Sequence, residues 1–110
     1  MKTRQLKVVW TSVAAGDLER IAAYLANESP VRAATIIGRI VDRAESLASL
    51  PSRGRTPPEL RSIGDRSWHE LQEPPWRIIC RRLDEVVQVH AVLDGRRNLE
   101  DILMERMLKS

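Results

Sequence analysis

The chain is predicted to be an α+β domain: an antiparallel sheet of about four strands, with an N-terminal helical hairpin on one face and a short C-terminal helix. The order is β-α-α-β-β-β-α, and three observations predict it. The stretch Pro75 to Leu99 contains two runs, Trp76–Arg82 and Val86–Leu93, separated by Leu83, Asp84 and Glu85. In the second run Val87, Val89, Ala91 and Leu93 point one way, and Val86, Gln88, His90 and Val92 the other. That period of two belongs to a strand. Upstream, residues 12–48 repeat their apolar positions at helical spacing with one break at Ser29-Pro30, which predicts two helices close in sequence. After Arg97 the spacing becomes helical again.

The elements follow in order. Gln5–Trp10 is the first strand, with Leu6, Val8 and Trp10 on one face and Lys7 and Val9 on the other. Thr11 or Ser12 caps a helix in which Val13, Leu18, Ile21, Ala22 and Leu25 form the apolar face, with Asp17, Glu19 and Arg20 off it. This helix should stop near Glu28. Ser29 caps the next, with Pro30 at the first helical position, where its missing N–H is no loss. Ala33, Ile36, Ile37, Ile40, Ala44, Leu47 and Ala48 form its stripe. Residues 51–58 read as a loop, 59–65 as one helical turn, and Arg66–Leu71 as a strand with Trp68 and Glu70 opposite Ser67, His69 and Leu71. Glu73-Pro74-Pro75 turns into the long stretch. Asn98 caps a final amphipathic helix with Leu99, Ile102, Leu103 and Met107 on one face.

A chain of 110 residues fits one domain spanning 1–110 and leaves no room for a second. At 43% hydrophobic and 30% charged it is a globular sequence. The single cysteine, Cys80, excludes an internal disulfide framework and fits a reducing, cytoplasmic setting. The apolar run after Lys2, Arg4 and Lys7 is short and broken by Thr11 and Ser12, so it does not read as an export signal. No run approaches the ~20 apolar residues of a membrane span. Net charge is +3, but residues 51–82 hold seven arginines against four acids, so binding to nucleic acid or to an acidic protein is expected.

Several ordered segments carry a resemblance. They are Asp17-Leu18-Glu19-Arg20-Ile21 with Tyr24-Leu25, then Pro30 with Ala33, then Leu47 to Pro51 followed by Gly54-Arg55. Glu59-Leu60-Arg61, Trp76-Arg77-Ile78-Ile79 with Arg81, Val89 to Leu93, and Gly95 to Leu99 complete the set. Together they resemble the ParE/RelE superfamily of toxins from type II toxin–antitoxin pairs. The resemblance implies a protein that arrests growth of its own host unless a co-expressed antitoxin binds it. It also implies an antitoxin with an acidic, poorly ordered tail. ParE-like members poison DNA gyrase and are not known as enzymes; RelE-like members cut messenger RNA on the ribosome.

The residues bear on that choice. RNA cleavage at a 2′-hydroxyl needs a base, an acid and cations for the developing phosphate charge. Arginines are plentiful, but after Leu93 no Tyr or His follows. Tyr24 belongs to the first helix, His69 and His90 lie within strands, and Glu70 and Glu73 are isolated strand acids. The balance favours gyrase inhibition, with the ribosome-dependent nuclease as the alternative. Arg61, Arg77, Arg81, Arg82, Arg96 and Arg97 are the expected target-binding residues. No catalytic residue, cofactor or metal site is expected. Apolar surface near the helical hairpin is expected to receive the antitoxin.

Overall fold

The computed structural model describes residues 5–95. Four strands, β1 (Lys7–Trp10), β2 (Trp68–Glu73), β3 (Trp76–Leu83) and β4 (Val86–Asp94), form one sheet in the order β1-β4-β3-β2. Helices α1 (Ser12–Ala26) and α2 (Pro30–Glu45) pack on one face of it. The predicted final helix and the basic rim at Arg96 and Arg97 lie outside the described residues.

Local chemistry sets the ends of the helices. Thr11 Oγ1 accepts from Ala14 N at 3.1 Å, and Ser29 Oγ accepts from Arg32 N at 3.1 Å, with Pro30 opening α2. Each satisfies a donor that the first turn cannot pair internally. Ser29→Ala is expected to cost about 1 kcal/mol in chemical denaturation, the usual value of such a cap. The α2 stripe packs as its spacing predicts: Ala33, Ile40, Ala44 and Leu47 are buried, and Ile36 and Ile37 are half-buried.

In α1 the buried face is Ala14, Asp17, Ile21 and Leu25, whereas Val13 is 46% exposed. The apolar-face assignment is therefore rotated, and Asp17 moves inside. Its carboxylate has a specific task there. β1 runs parallel to β4, with Trp10 opposite Val89, and Thr11 N–H closes that edge by donating to Val89 O at 3.1 Å. Among the described residues, β4 has no strand neighbour on the β1 side beyond this point. Asp17 Oδ2 accepts from Val92 N at 3.1 Å in its place, while Asp17 Oδ1 accepts from Arg20 at 2.5 Å.

β2, β3 and β4 form the antiparallel meander. The register pairs Cys80 with Val89 but Ile79 with Ala91, so His90 is an extra residue, a β-bulge. The bulge corrects the predicted facing of β4. Val87, Val89 and Val92 join Leu71, Ile78 and Cys80 in the main core beneath the helices. Ala91 and Leu93 turn to the opposite face, where they pack with Ile79, Leu60 and half-buried Trp68. A single inserted residue reverses every later side chain in a strand, so both faces of the sheet carry apolar residues.

The segment before β2 holds Leu60 over this second face. Residues Pro58–Ile63 form a 3₁₀ helix, longer than the single turn predicted, and Arg55 bridges the free edge of β2 through paired backbone bonds with Glu70 of 3.1 and 2.6 Å. Gly54 makes that approach possible. Its φ is +95°, and a Cβ there would lie 2.7 Å from Glu70 O. Gly54→Ala is expected to destabilise by about 1–3 kcal/mol, the range for enforced backbone strain, with a matching fall in melting temperature.

Candidate target-binding face

The face of the sheet away from the helices carries most of the polar chemistry. The turn at Pro74-Pro75 sets Gln72 opposite Arg77 and Glu70 opposite Ile79, so Glu70, Gln72 and Arg77 share this face as close neighbours. Arg77 does not reach into solvent. It is buried and lies between two carboxylates: Glu59 accepts from Nη1 and Nη2 at 2.9 and 2.8 Å, and Glu70 accepts from Nη2 at 2.6 Å. Glu70, itself fully buried, also accepts from Arg55 at 3.1 Å and from Gln72 at 3.2 Å. The paired carboxylates, Glu59 first, raise the pKa of Arg77 further above its ordinary value. Burial alone pushes the Glu70 carboxyl upward, but hydrogen bonds from Arg77, Gln72 and Arg55 outweigh it and hold the pKa below its ordinary value. Arg55, Glu59, Gln72 and Arg77 line a cleft of about 300 Å³ with Pro75, Trp76 and Gly95.

At the other end of the same face, Arg81 lies over Trp68, its Cζ 5.3 Å from the ring centre. Arg81 Nε donates to Ser67 Oγ at 3.3 Å, and its Nη2 is 3.9 Å from Asp65. Asp65 accepts from Ser67 Oγ at 2.6 Å and Ser67 N at 2.9 Å, bonds that hold its carboxyl below the usual pKa. His90 packs against Trp68, with ring centres 5.0 Å apart.

The six expected arginines are thus not one surface. Arg61 and Arg82 are exposed, and the Arg81 side chain is 39% exposed. Arg77, expected to display its charge, is folded inward because two carboxylates claim it. The placements expected for Arg96 and Arg97 lie outside the described residues. Of the two histidines, His90 is on this face, but His69 pairs with Cys80 on the helix side. Burial lowers the His69 pKa and the nearby Arg82 charge adds to this, so the ring is held neutral near pH 7. The Cys80 thiol, fully buried, is pushed up to about 12 and is inert. Among the described residues no three His, Cys, Asp or Glu side chains gather as a metal site, and no helix is long and apolar enough to cross a membrane. Glu59 is the participant that sequence reading missed. No local pattern connects it to a strand residue 18 positions later.

A family model for the ParE toxin of type II toxin–antitoxin systems matches residues 8–99. The chain belongs to the ParE toxin family. It is 31% identical over 94 residues to Toxin ParE3 of Caulobacter vibrioides, covering 84% of this chain and 90% of that protein. The fold of this ParE-family chain is similar to that in the chromosomal ParDE toxin–antitoxin system of P. aeruginosa. There the TM-score is 0.66 at 20% identity, over 83% of this chain and 97% of the other. It is also similar to a chain of the RelBE2 toxin–antitoxin complex of Mycobacterium tuberculosis, with a TM-score of 0.58 at 22% identity, over 84% and 94%. The toxin of a type II system is thereby assigned, and the expected superfamily and α+β fold class hold.

A second groove, about 630 Å³, runs between the helical hairpin and the Pro74-Pro75 turn. Tyr24, Leu25, Ile36 and Trp76 supply its apolar lining, and Arg32 and Arg39 line it together with Glu28, Glu73 and Asp94. Tyr24 is 68% exposed here, and Val31 on the adjoining helix start is 79% exposed. This matches the apolar surface expected near the hairpin.

Proposed function

We propose that this ParE-family toxin inhibits DNA gyrase in the cytoplasm, arresting growth, and is neutralised by a cognate antitoxin. The observation that carries the choice of target is the closed Arg55–Glu70–Arg77–Glu59 cluster. A nuclease working from this face needs a carboxylate free to take a proton and a cation free to meet a phosphate. Glu70 is buried, ionised and held by three donors, and the Arg77 charge is already spent on two acids. Binding makes no such demand. Exposed Arg61 and Arg82, partly exposed Arg81, and Arg96 and Arg97 of the following sequence then serve as contacts to an acidic surface of the gyrase–DNA complex. The apolar lining of the groove beside Tyr24 and Trp76 suits the apolar face of an amphipathic antitoxin segment.

Purified toxin added to gyrase and plasmid is expected to block supercoiling or to trap cleaved DNA. Neutral replacements at 61, 81, 82, 96 and 97 together should weaken inhibition by tenfold or more, since each charge-assisted contact is worth about 1.5–3 kcal/mol. Unchanged supercoiling at excess toxin, together with site-specific mRNA cuts in a translation extract, would favour the ribosome-dependent nuclease.

A further inference from the structure

We propose that Trp68, Arg81, His90 and Gln88 on the helix-free face form a stacking site for an unpaired base of single-stranded nucleic acid. The indole of Trp68 and the imidazole of His90 meet at 5.0 Å and 59°, and the Arg81 guanidinium covers the indole at 5.3 Å. Ser67 and Asp65 anchor Arg81 from the side, leaving its side chain 39% exposed. A guanidinium held over an aromatic ring offers its outer side to a further flat group, and bases stack on arginine as they do on aromatic faces. Gln88 Oε1 is 3.0 Å from His90 Nε2, which sets a carboxamide beside the stack to meet a base edge. The bulge leaves His90 with no residue opposite it on β3.

Charge supports the same ligand. Arg66 is exposed in the turn that leads into β2, next to Ser67, whose Oγ accepts from Arg81 Nε. It stands two residues before Trp68, where a backbone phosphate next to a stacked base would pass. A duplex offers only base edges and cannot enter the stack, so a single strand is specified.

The site is testable without gyrase, so its failure is distinct from failure of the gyrase reading. In a Trp10→Phe, Trp76→Phe background Trp68 is the single indole. Saturable quenching of its emission by oligothymidylate or oligouridylate is the expected result. Whichever strand binds more tightly identifies the source, DNA or RNA. Anisotropy of the same labelled strands with all tryptophans intact gives a second readout that does not depend on that background. His90→Ala and Arg81→Gln, checked for folding by circular dichroism, should each weaken binding about tenfold, the lower range for loss of one stacked base. Absence of binding would overturn the proposal. So would equal binding to a duplex, or binding that falls with salt but ignores His90→Ala, because either would reduce the patch to backbone electrostatics.

Discussion

Arg77→Ala is expected to destabilise the protein by about 3 kcal/mol, the lower end of the cost of breaking a buried ion pair, because Arg55 and Gln72 still donate to Glu70. Glu70 is the reason. Its side chain is fully buried and accepts a 2.6 Å bond from Arg77, while Arg77 is itself only 10% exposed. Urea unfolding of the isolated toxin would measure the loss. A joint Arg77→Met, Glu70→Gln change should cost less than Arg77→Ala alone, since the fully buried carboxylate is removed together with its cation. Equal losses for the two variants would mean that the Glu70 charge is not the source of the loss.

The pH dependence has a definite sign. The folded Glu70 carboxyl titrates below its ordinary value of 4.5. Its contribution to stability is therefore complete above the unfolded value and is lost as pH falls through the folded one. In Arg77→Ala, burial without this partner pushes the same carboxyl upward, so mild acidification should cost the variant less stability than it costs the parent. Parallel stability curves from pH 7 to about pH 4 would contradict this account.

Asp17→Ala is expected to cost about 2–3 kcal/mol, because it leaves the buried Val92 N–H without an acceptor and removes a charge-assisted bond. Asp17→Asn keeps an acceptor and should cost less. Hydrogen exchange would read the site directly: the Val92 amide should lose protection in Asp17→Ala to a greater degree than amides in the β2–β3 pairing. Unaltered protection there would show that Asp17 does not terminate the open side of β4.

These two sites mark where reading the chain stops. The Glu70–Arg77 neighbourhood was within reach, since the two-residue turn at Pro74-Pro75 sets the register and alternation places both on one face. Glu59 was not, because its approach depends on a 3₁₀ segment held down by Leu60 and by the Gly54-Arg55 crossing of the β2 edge. Helical spacing places Asp17 on the outer side of α1, where a charged residue normally stays in water. Its burial makes sense only once β4 is seen to outrun β1. The facing of Ala91, Val92 and Leu93 was misread for a related reason. Nothing in Val89-His90-Ala91 announces an extra residue, and the insertion is visible only against β3.

What the chain determined by itself was everything carried by nearest neighbours: the Thr11 and Ser29 caps, Pro30 at the head of α2, the α2 stripe, the alternating strands and the turns joining β2, β3 and β4. These depend on torsion preferences and on spacings of two to four residues, which a linear string records. Tertiary structure decided which guanidinium is neutralised, which carboxylate is buried, that β1 lies parallel beside β4, and which way the second half of β4 faces. Each of those depends on groups brought together from far apart in the chain, and Coulomb attraction, desolvation and backbone pairing act through distance in space.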